Sequence, residues 1–222
     1  MTGTTRSAAP LPETPPRPQT LHRDPTARAA SVPLDVPPGT RTRPRFPGWR
    51  WVAVALAFPV AGLIGWAIGG RVDALVPALV GGALTGAGLG AVEWWAAKGA
   101  LGHAAAWIGA SAVGYAVGLA AGAALVGYDT DLGALAVMGL VSGAMLGGAQ
   151  GLVLARQGRR ALALPWAAAM PVLFAFGWSV ASATGIGVDD QFTVFGAAGA
   201  IVFTLLSGVV LDRFASTRTQ VA

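Results

Sequence analysis

Six long stretches without a charged residue constrain the fold of this chain more than any other feature; they cover 51–70, 74–92, 104–128, 132–155, 161–188 and 191–211. Each is close to, or longer than, the roughly 20 residues that an α-helix needs to cross a hydrocarbon core about 30 Å thick. The backbone must satisfy its own hydrogen bonds there, and runs this continuous favour helices over barrel strands. We therefore predict an all-α polytopic membrane protein with six transmembrane helices.

Composition agrees with this class and divides the chain into three parts. Of the 222 residues, 54% are hydrophobic and only 11% are charged, whereas soluble domains are near a quarter charged. Residues 1–48 hold 11 of the 15 prolines and contain no apolar signal core, so they cannot bury enough surface to fold alone. We predict a disordered Pro/Arg-rich cytoplasmic tail at 1–48, a membrane domain at 49–213 and a short cytoplasmic tail at 214–222.

The basic residues predict the orientation in the membrane. If the N-terminus is cytoplasmic, ten basic residues near helix ends lie inside and only Arg71 lies outside; the ten are Arg41, Arg43, Arg45, Arg50, Lys98, Arg156, Arg159, Arg160, Arg213 and Arg218. Positive charge favours the cytoplasmic side. We therefore predict that both termini are cytoplasmic. The Ala, Gly and Arg usage is consistent with a GC-rich bacterial genome, so we expect the membrane to be a bacterial inner membrane. The expected partners are the bilayer, anionic lipid head groups bound by the arginine-bearing tail, and a membrane protein of unknown identity, with no nucleic acid.

An internal repeat of 57 residues links the even-numbered helices. Small residues recur every four positions in each, at Gly82, Gly86, Gly90, then Gly139, Gly143, Gly147, then Gly196, Ala200, Thr204. A polar residue follows three positions later, at Glu93, Gln150 and Ser207. The odd-numbered helices match through Trp51, Trp107 and Trp166, each followed 11 residues later by glycine. The pattern predicts three parallel-repeat helical hairpins with pseudo-threefold symmetry.

The small residues have a physical purpose in a membrane. Helices gain little there by hiding apolar surface from lipid, so they associate where small side chains let backbones approach. We expect these positions to form a helix-packing seam. Glu93 and Gln150 each lie on the same face as the small residues of their own helix, so we expect both to be directed toward protein. Asp73, Asp131 and Asp190 are expected to cap the even helices. Five tryptophans are expected to form an aromatic belt at the inner interface: Trp51, Trp94, Trp95, Trp107 and Trp166.

Polar residues within the spans are the candidate functional site. Glu93 is either a structural partner of a neighbouring base or hydroxyl, or a substrate or proton site. Gln150 makes either an interhelical hydrogen bond or a ligand contact. Ser207 and Tyr115 complete the candidate polar or ligand site.

Catalytic and metal templates do not fit the sequence. There is no cysteine, and a second histidine is absent from the part expected to fold, so we expect neither a metal nor a cofactor. No nucleophile lies beside a base, and no phosphate loop is present, so we do not expect an enzyme. The sequence favours a tightly packed, non-catalytic accessory or scaffold subunit. The alternative is a small transporter or channel with its path along the pseudo-threefold axis.

One segment resembles a loose group of small multi-pass bacterial membrane proteins. Its pattern is G-x3-G-x2-Q-x-L-V-L at 143–154, followed by Arg156 and then Trp166. In that group a Gln-Trp-Leu-Val-Leu-Arg stretch ends one helix and a tryptophan opens the next. Here Gly151 replaces the tryptophan, and Ala155 separates the leucine from the arginine. The resemblance implies a multi-pass helical fold over residues 50–212 and no particular chemistry.

Overall fold

The computed structural model describes residues 48–97, 100–184 and 191–215, and within these ranges the chain forms six α-helices. They are α1 (Gly48–Gly69), α2 (Leu75–Ala96), α3 (Ala104–Leu125), α4 (Leu132–Arg156), α5 (Arg160–Thr184) and α6 (Ala197–Ala215). All six are long and apolar enough to cross a membrane, which confirms the prediction of a multi-pass membrane protein. The predicted tails fall largely outside the described residues.

The helices are arranged as a closed ring. Each packs against the next along the chain, and α6 also packs against α1. Short connections explain the neighbour-to-neighbour packing, because a helix that follows a tight turn returns beside the one before it. The contact between α6 and α1 is the one that closes the ring, and it joins elements more than 100 residues apart.

Two helix ends are fixed by the same backbone motif. After α3, the Tyr128 N–H donates to the Ala123 carbonyl (2.8 Å) and the Gly127 N–H to the Ala124 carbonyl (3.2 Å). After α4, Gly158 and Arg159 repeat this pattern. Gly127 and Gly158 have φ of +63° and +73°, a conformation that glycine adopts without strain and that ends a helix in a Schellman motif.

The aspartate caps are confirmed at only one helix. Asp131 accepts a 2.7 Å hydrogen bond from the Ala134 N–H at the start of α4. The prediction is wrong for Asp73, because the residue that precedes α2 is Ala74 and no side chain caps that end. Asp190 lies outside the described residues, and α6 begins only at Ala197.

The predicted span 191–211 is therefore only partly helical. Residues 191–196, here called the re-entrant segment, precede α6 as non-helical backbone, and Thr193, Val194 and Phe195 within them are buried. The Thr193 hydroxyl donates to the Gly62 carbonyl of α1 (3.0 Å). Gly62 lies seven residues before the end of α1, so the segment reaches about 10 Å into the bundle. Irregular backbone at such depth is tolerated where protein groups bond to it.

Candidate functional site

A buried hydrogen-bonded cluster joins α2, α3, α4 and α5, and we call it the polar network. Its carboxylate is Glu93, whose Oε2 accepts from the indole Nε1 of Trp107 (3.2 Å) and from Nε2 of Gln150 (3.1 Å). All three side chains are at least 98% buried. A carboxylate removed from water at this depth needs such donors, because an unpartnered one is costly to bury.

Gln150 lies at the centre of the polar network. Its Nε2 also donates to the Ser111 hydroxyl (2.8 Å), while its Oε1 accepts from the indole of Trp166 (2.8 Å). Ser111 in turn donates to the Trp107 carbonyl one turn earlier in α3 (2.9 Å). One amide side chain thus connects three other helices by hydrogen bonds.

The sequence pattern explains how these side chains meet. Glu93 and Gln150 each follow the last seam glycine of their helix by three positions, which places them on the face that packs against the next helix. Trp107 is the fourth residue of α3 and Trp166 the seventh of α5, so both lie near the level where α2 and α4 end. Their rings are 5.8 Å apart between centroids and tilted by 60°.

Ser207 and Tyr115 bond elsewhere. The Trp51 indole of α1 donates to the Ser207 hydroxyl (3.2 Å) and to the Thr204 carbonyl (2.9 Å) of α6. The Tyr115 hydroxyl donates to the Thr193 carbonyl of the re-entrant segment (2.6 Å). Of the four candidate site residues, the structure joins Glu93 and Gln150 directly and assigns the other two to separate hydrogen bonds.

The predicted seam glycines of α2 and α4 lie between helices, against neighbouring backbone. A Cβ added at Gly82 of α2 would lie 2.9 Å from the Ala116 Cα of α3, and one at Gly139 of α4 would lie 2.8 Å from the Phe174 carbonyl oxygen of α5. The other glycines of α2 and α4 in the seam, at positions 86, 90, 143 and 147, make similar close approaches. In the third set Ala200 and Thr204 are buried, whereas Gly196 is half-buried and precedes α6.

Three tryptophans differ from the expected aromatic belt. Trp51, Trp107 and Trp166 are at least 97% buried and point their indole N–H groups into the bundle, whereas Trp95 is 43% exposed. The reason is that an indole N–H is satisfied equally well by a buried carboxylate, amide or hydroxyl as by interfacial water. The spacing in the sequence was the signal for these two hydrogen bonds: Glu93 precedes Trp107 by fourteen positions, and Gln150 precedes Trp166 by sixteen.

The sequence interpretation also missed two features. Thr85 of α2 has its hydroxyl 2.7 Å from that of Thr193, which anchors the re-entrant segment to a second helix. A further glycine stripe at Gly114, Gly118 and Gly122 of α3 contacts α4. Its spacing of four was visible in the sequence but did not fit the pattern of even-numbered helices.

The chemistry of the site is that of interhelical bonding. Among the described residues, no group of three or more His, Asp and Glu side chains is placed to hold a metal ion. Three buried polar atoms, Arg50 Nε, Trp178 Nε1 and Thr204 Oγ1, have no hydrogen-bond partner in the described part of the chain.

The fold and this network define a polytopic helical membrane protein with a hydrogen-bonded interior. Comparisons with protein-family models, curated proteins and solved structures found no match for this chain.

Proposed function

We propose that this chain is a non-catalytic, closely packed membrane protein that acts as an accessory or scaffold subunit. The observation that carries the proposal is a cluster of aromatic side chains inside the ring, here called the aromatic cluster: Phe58, Tyr115, Phe174, Phe195 and Phe203. All five are at most 1% exposed. They come from α1, α3, α5, α6 and the re-entrant segment. They therefore fill the space inside the ring that a transport path along its central axis would need.

The geometry of the aromatic cluster supports rigid packing. Phe58 lies 4.9 Å from both Phe195 and Phe203 between ring centroids, and Phe174 lies 5.3 Å from the same two rings. Offset and edge-to-face pairs at such distances add about 0.5–1.5 kcal/mol each beyond area burial. Opening a passage here would break several of these contacts together.

The polar network supports the same proposal. Glu93, Gln150, Ser111 and the two indoles direct their hydrogen bonds at one another. Such a network favours one arrangement of four helices, because each lost bond leaves a buried polar group unpaired.

We further propose that the ring is built from three equivalent hairpins, α1–α2, α3–α4 and α5–α6. The support is a bond used three times. A tryptophan near the start of α3 bonds Glu93 of α2, one near the start of α5 bonds Gln150 of α4, and one near the start of α1 bonds Ser207 of α6. The three acceptors are 57 residues apart, and the third pair joins the last helix to the first. In the proposed arrangement, a threefold rotation about an axis through the centre of the ring, along the membrane normal, relates the three pairs.

A flux assay tests the packed interior. Purified protein in liposomes is examined with a panel of ions and small neutral solutes, and we expect the same flux as in protein-free liposomes. The matched variants are Glu93→Gln, which alters the polar network, and Trp95→Phe, which changes an exposed ring at the same end of α2. Wild-type flux above background that falls in Glu93→Gln but not in Trp95→Phe would contradict the proposal.

Flux that depends on Glu93 in this way would instead support a small transporter. One observation favours this alternative function: Glu93 is an ionisable group inside a membrane span, and such groups commonly mark ion or proton pathways. Its contact with Gln150 would then place two polar side chains at the inner end of the path.

The accessory role is tested by cross-linking in native membranes. A photoactivatable side chain is placed on the outer surface of α3 at Val113 or of α6 at Leu205, which are 65% and 63% exposed. We expect at least one surface to give a single discrete adduct with another membrane protein. Matched sites at buried Leu119 and Phe203 serve as controls for intramolecular reaction. Lipid adducts alone at both outer positions would count against a partner-binding role on these surfaces.

A further inference from the structure

A concave pocket opens where α4 ends and α5 begins, at the same end of the bundle as the start of α1. Its volume is about 610 Å³, and we call it the basic pocket; it is lined by Gly102, His103, Arg156, Gln157 and Arg159. It is separate from the polar network, which lies inside the bundle. The pocket contains two guanidinium groups and an imidazole, and none of its five lining residues is an acid.

The walls of the basic pocket are held in place by hydrogen bonds. The Gln157 side-chain Oε1 accepts from the His103 backbone N–H (3.1 Å), which ties the end of α4 to the start of α3. Arg159 Nη1 donates to the Ala100 carbonyl (2.6 Å). The Trp94 indole donates to the Gly102 carbonyl (2.8 Å). Three hydrogen bonds thus fix the α2–α3 and α4–α5 connections that form the wall of the pocket.

Gly102 has a specific part in this shape. Its φ is +84°, a value that residues with a Cβ rarely adopt. A Cβ at this position would also overlap the Gln157 side-chain oxygen. Glycine therefore allows the amide of Gln157 to close one side of the pocket.

Backbone electrostatics add to the positive potential. His103 directly precedes α3 and Arg159 directly precedes α5, so two helix N-termini begin at the pocket wall. Neither helix has an acidic residue in its first turn, and no side chain caps α3. Helix N-termini carry partial positive charge and unbonded N–H groups that favour anions. Arg156, in the last turn of α4, offsets the opposite charge at that helix end.

We propose that the basic pocket binds a phosphate-bearing anion at the membrane surface. Guanidinium groups match phosphate oxygens in geometry and remain charged. The pocket lies at the ends of membrane-spanning helices, which is the level of lipid head groups, and basic pockets between such helices are suited to anionic lipids. The two sources of this chemistry are the head group of an anionic lipid and a soluble phosphate.

The test compares Arg156→Gln with Arg213→Gln. Both residues are exposed arginines in the last turn of a helix at the same end of the bundle, but only Arg156 lines the pocket. Detergent-solubilised protein is titrated with phosphatidylglycerol or phosphatidylcholine and analysed by native mass spectrometry, and inorganic phosphate is titrated separately by calorimetry. We expect a preference for phosphatidylglycerol that weakens about five-fold in Arg156→Gln, equivalent to about 1 kcal/mol for one charge, and is unchanged in Arg213→Gln.

Each outcome decides the question. Arg156-dependent binding of phosphatidylglycerol alone identifies the ligand as a lipid head group, and binding of inorganic phosphate with the same dependence extends it to soluble phosphates. Equal weakening by both variants would reduce the effect to general charge and overturn the proposal. Equal affinity for the two lipids, together with no binding of phosphate, would overturn it as well. Because Arg156 is exposed, unfolding does not confuse the comparison, and the helical circular dichroism of each variant verifies this.

Discussion

The contact between α4 and α5 offers the sharpest test of the packing, through substitution of Gly143 by alanine. An added Cβ would lie 2.8 Å from the carbonyl carbon of Met170 and from the Cα of Pro171, and closer still to the Met170 oxygen. Carbon atoms attract each other only at roughly 3.5–4.0 Å. The backbone of α5 would therefore have to retreat by more than about half an ångström, and with it the contacts at Gly139 and Gly147.

Gly148→Ala provides the matched control. Gly148 lies in the same helix, but a Cβ added there would meet nothing within 4 Å. Both substitutions gain the same helix propensity, about 1 kcal/mol in favour of alanine, so their difference isolates the steric cost. Overpacking costs about 1–3 kcal/mol, and we expect Gly143→Ala to be less stable than Gly148→Ala by that amount.

The assay is equilibrium unfolding in mixed micelles with increasing sodium dodecyl sulfate, followed by tryptophan fluorescence. Buried indoles such as Trp166 and Trp178 in α5 report directly on the separation of the two helices. Gly143→Leu should be more destabilised than Gly143→Ala, whereas Gly148→Leu should resemble wild type. If the two alanine variants unfold at the same detergent fraction, then close backbone approach does not hold α4 against α5, and the reasoning about the seam is refuted.

Three further predictions concern buried hydrogen bonds; the first two use the same unfolding assay and the third uses hydrogen exchange. Gln150→Leu removes hydrogen bonds to three side chains, and at about 0.6 kcal/mol for each bond in a membrane it should lower the unfolding free energy by about 2 kcal/mol; stability equal to wild type would show that the polar network is not structural. Trp51→Phe removes the hydrogen bonds from α1 to α6 and should destabilise the protein by about 1 kcal/mol, whereas Trp95→Phe should have no effect. Equal effects of the two substitutions would show that the α1–α6 hydrogen bonds do not stabilise the fold. Thr193→Val keeps the side-chain shape but loses the hydroxyl, so it should speed hydrogen exchange in the re-entrant segment before any other region, and unchanged exchange there would contradict the anchoring.

The positions of five helices followed from the sequence because the signal is local. A run of about 20 uncharged residues is either long enough to cross a bilayer or not, and the observed helices α1 to α5 begin and end within about four residues of the uncharged runs. The sixth run was misleading at its start. Residues 191–196 are uncharged, like residues 197–211 of the helix that follows, yet Thr193 bonds to Gly62 and its carbonyl accepts from Tyr115. Those partners belong to α1 and α3, and no local pattern indicates them.

The candidate site was predictable in part. The spacing of Glu93 and Gln150 relative to their glycines placed them on packed helix faces, since residue spacing determines which face of a helix a side chain occupies. Their contact with each other required α2 and α4 to approach across α3, which depends on the order of helices in the ring. Trp107 and Trp166 illustrate the same limit: a tryptophan at a helix end suits either the lipid interface or a buried acceptor, and only the position of its neighbour decides.

The sequence by itself determined that this chain has several membrane-spanning helices, and at which positions small side chains allow helix backbones to approach closely. It could do so because hydropathy and side-chain size are properties of each residue alone. The tertiary structure decided that α6 closes the ring on α1, that the tryptophans turn inward, and that non-helical backbone enters the bundle before α6. These outcomes depend on pairs of groups that are distant in sequence, and the free energy of a hydrogen bond or an aromatic contact exists only once both partners have been brought together.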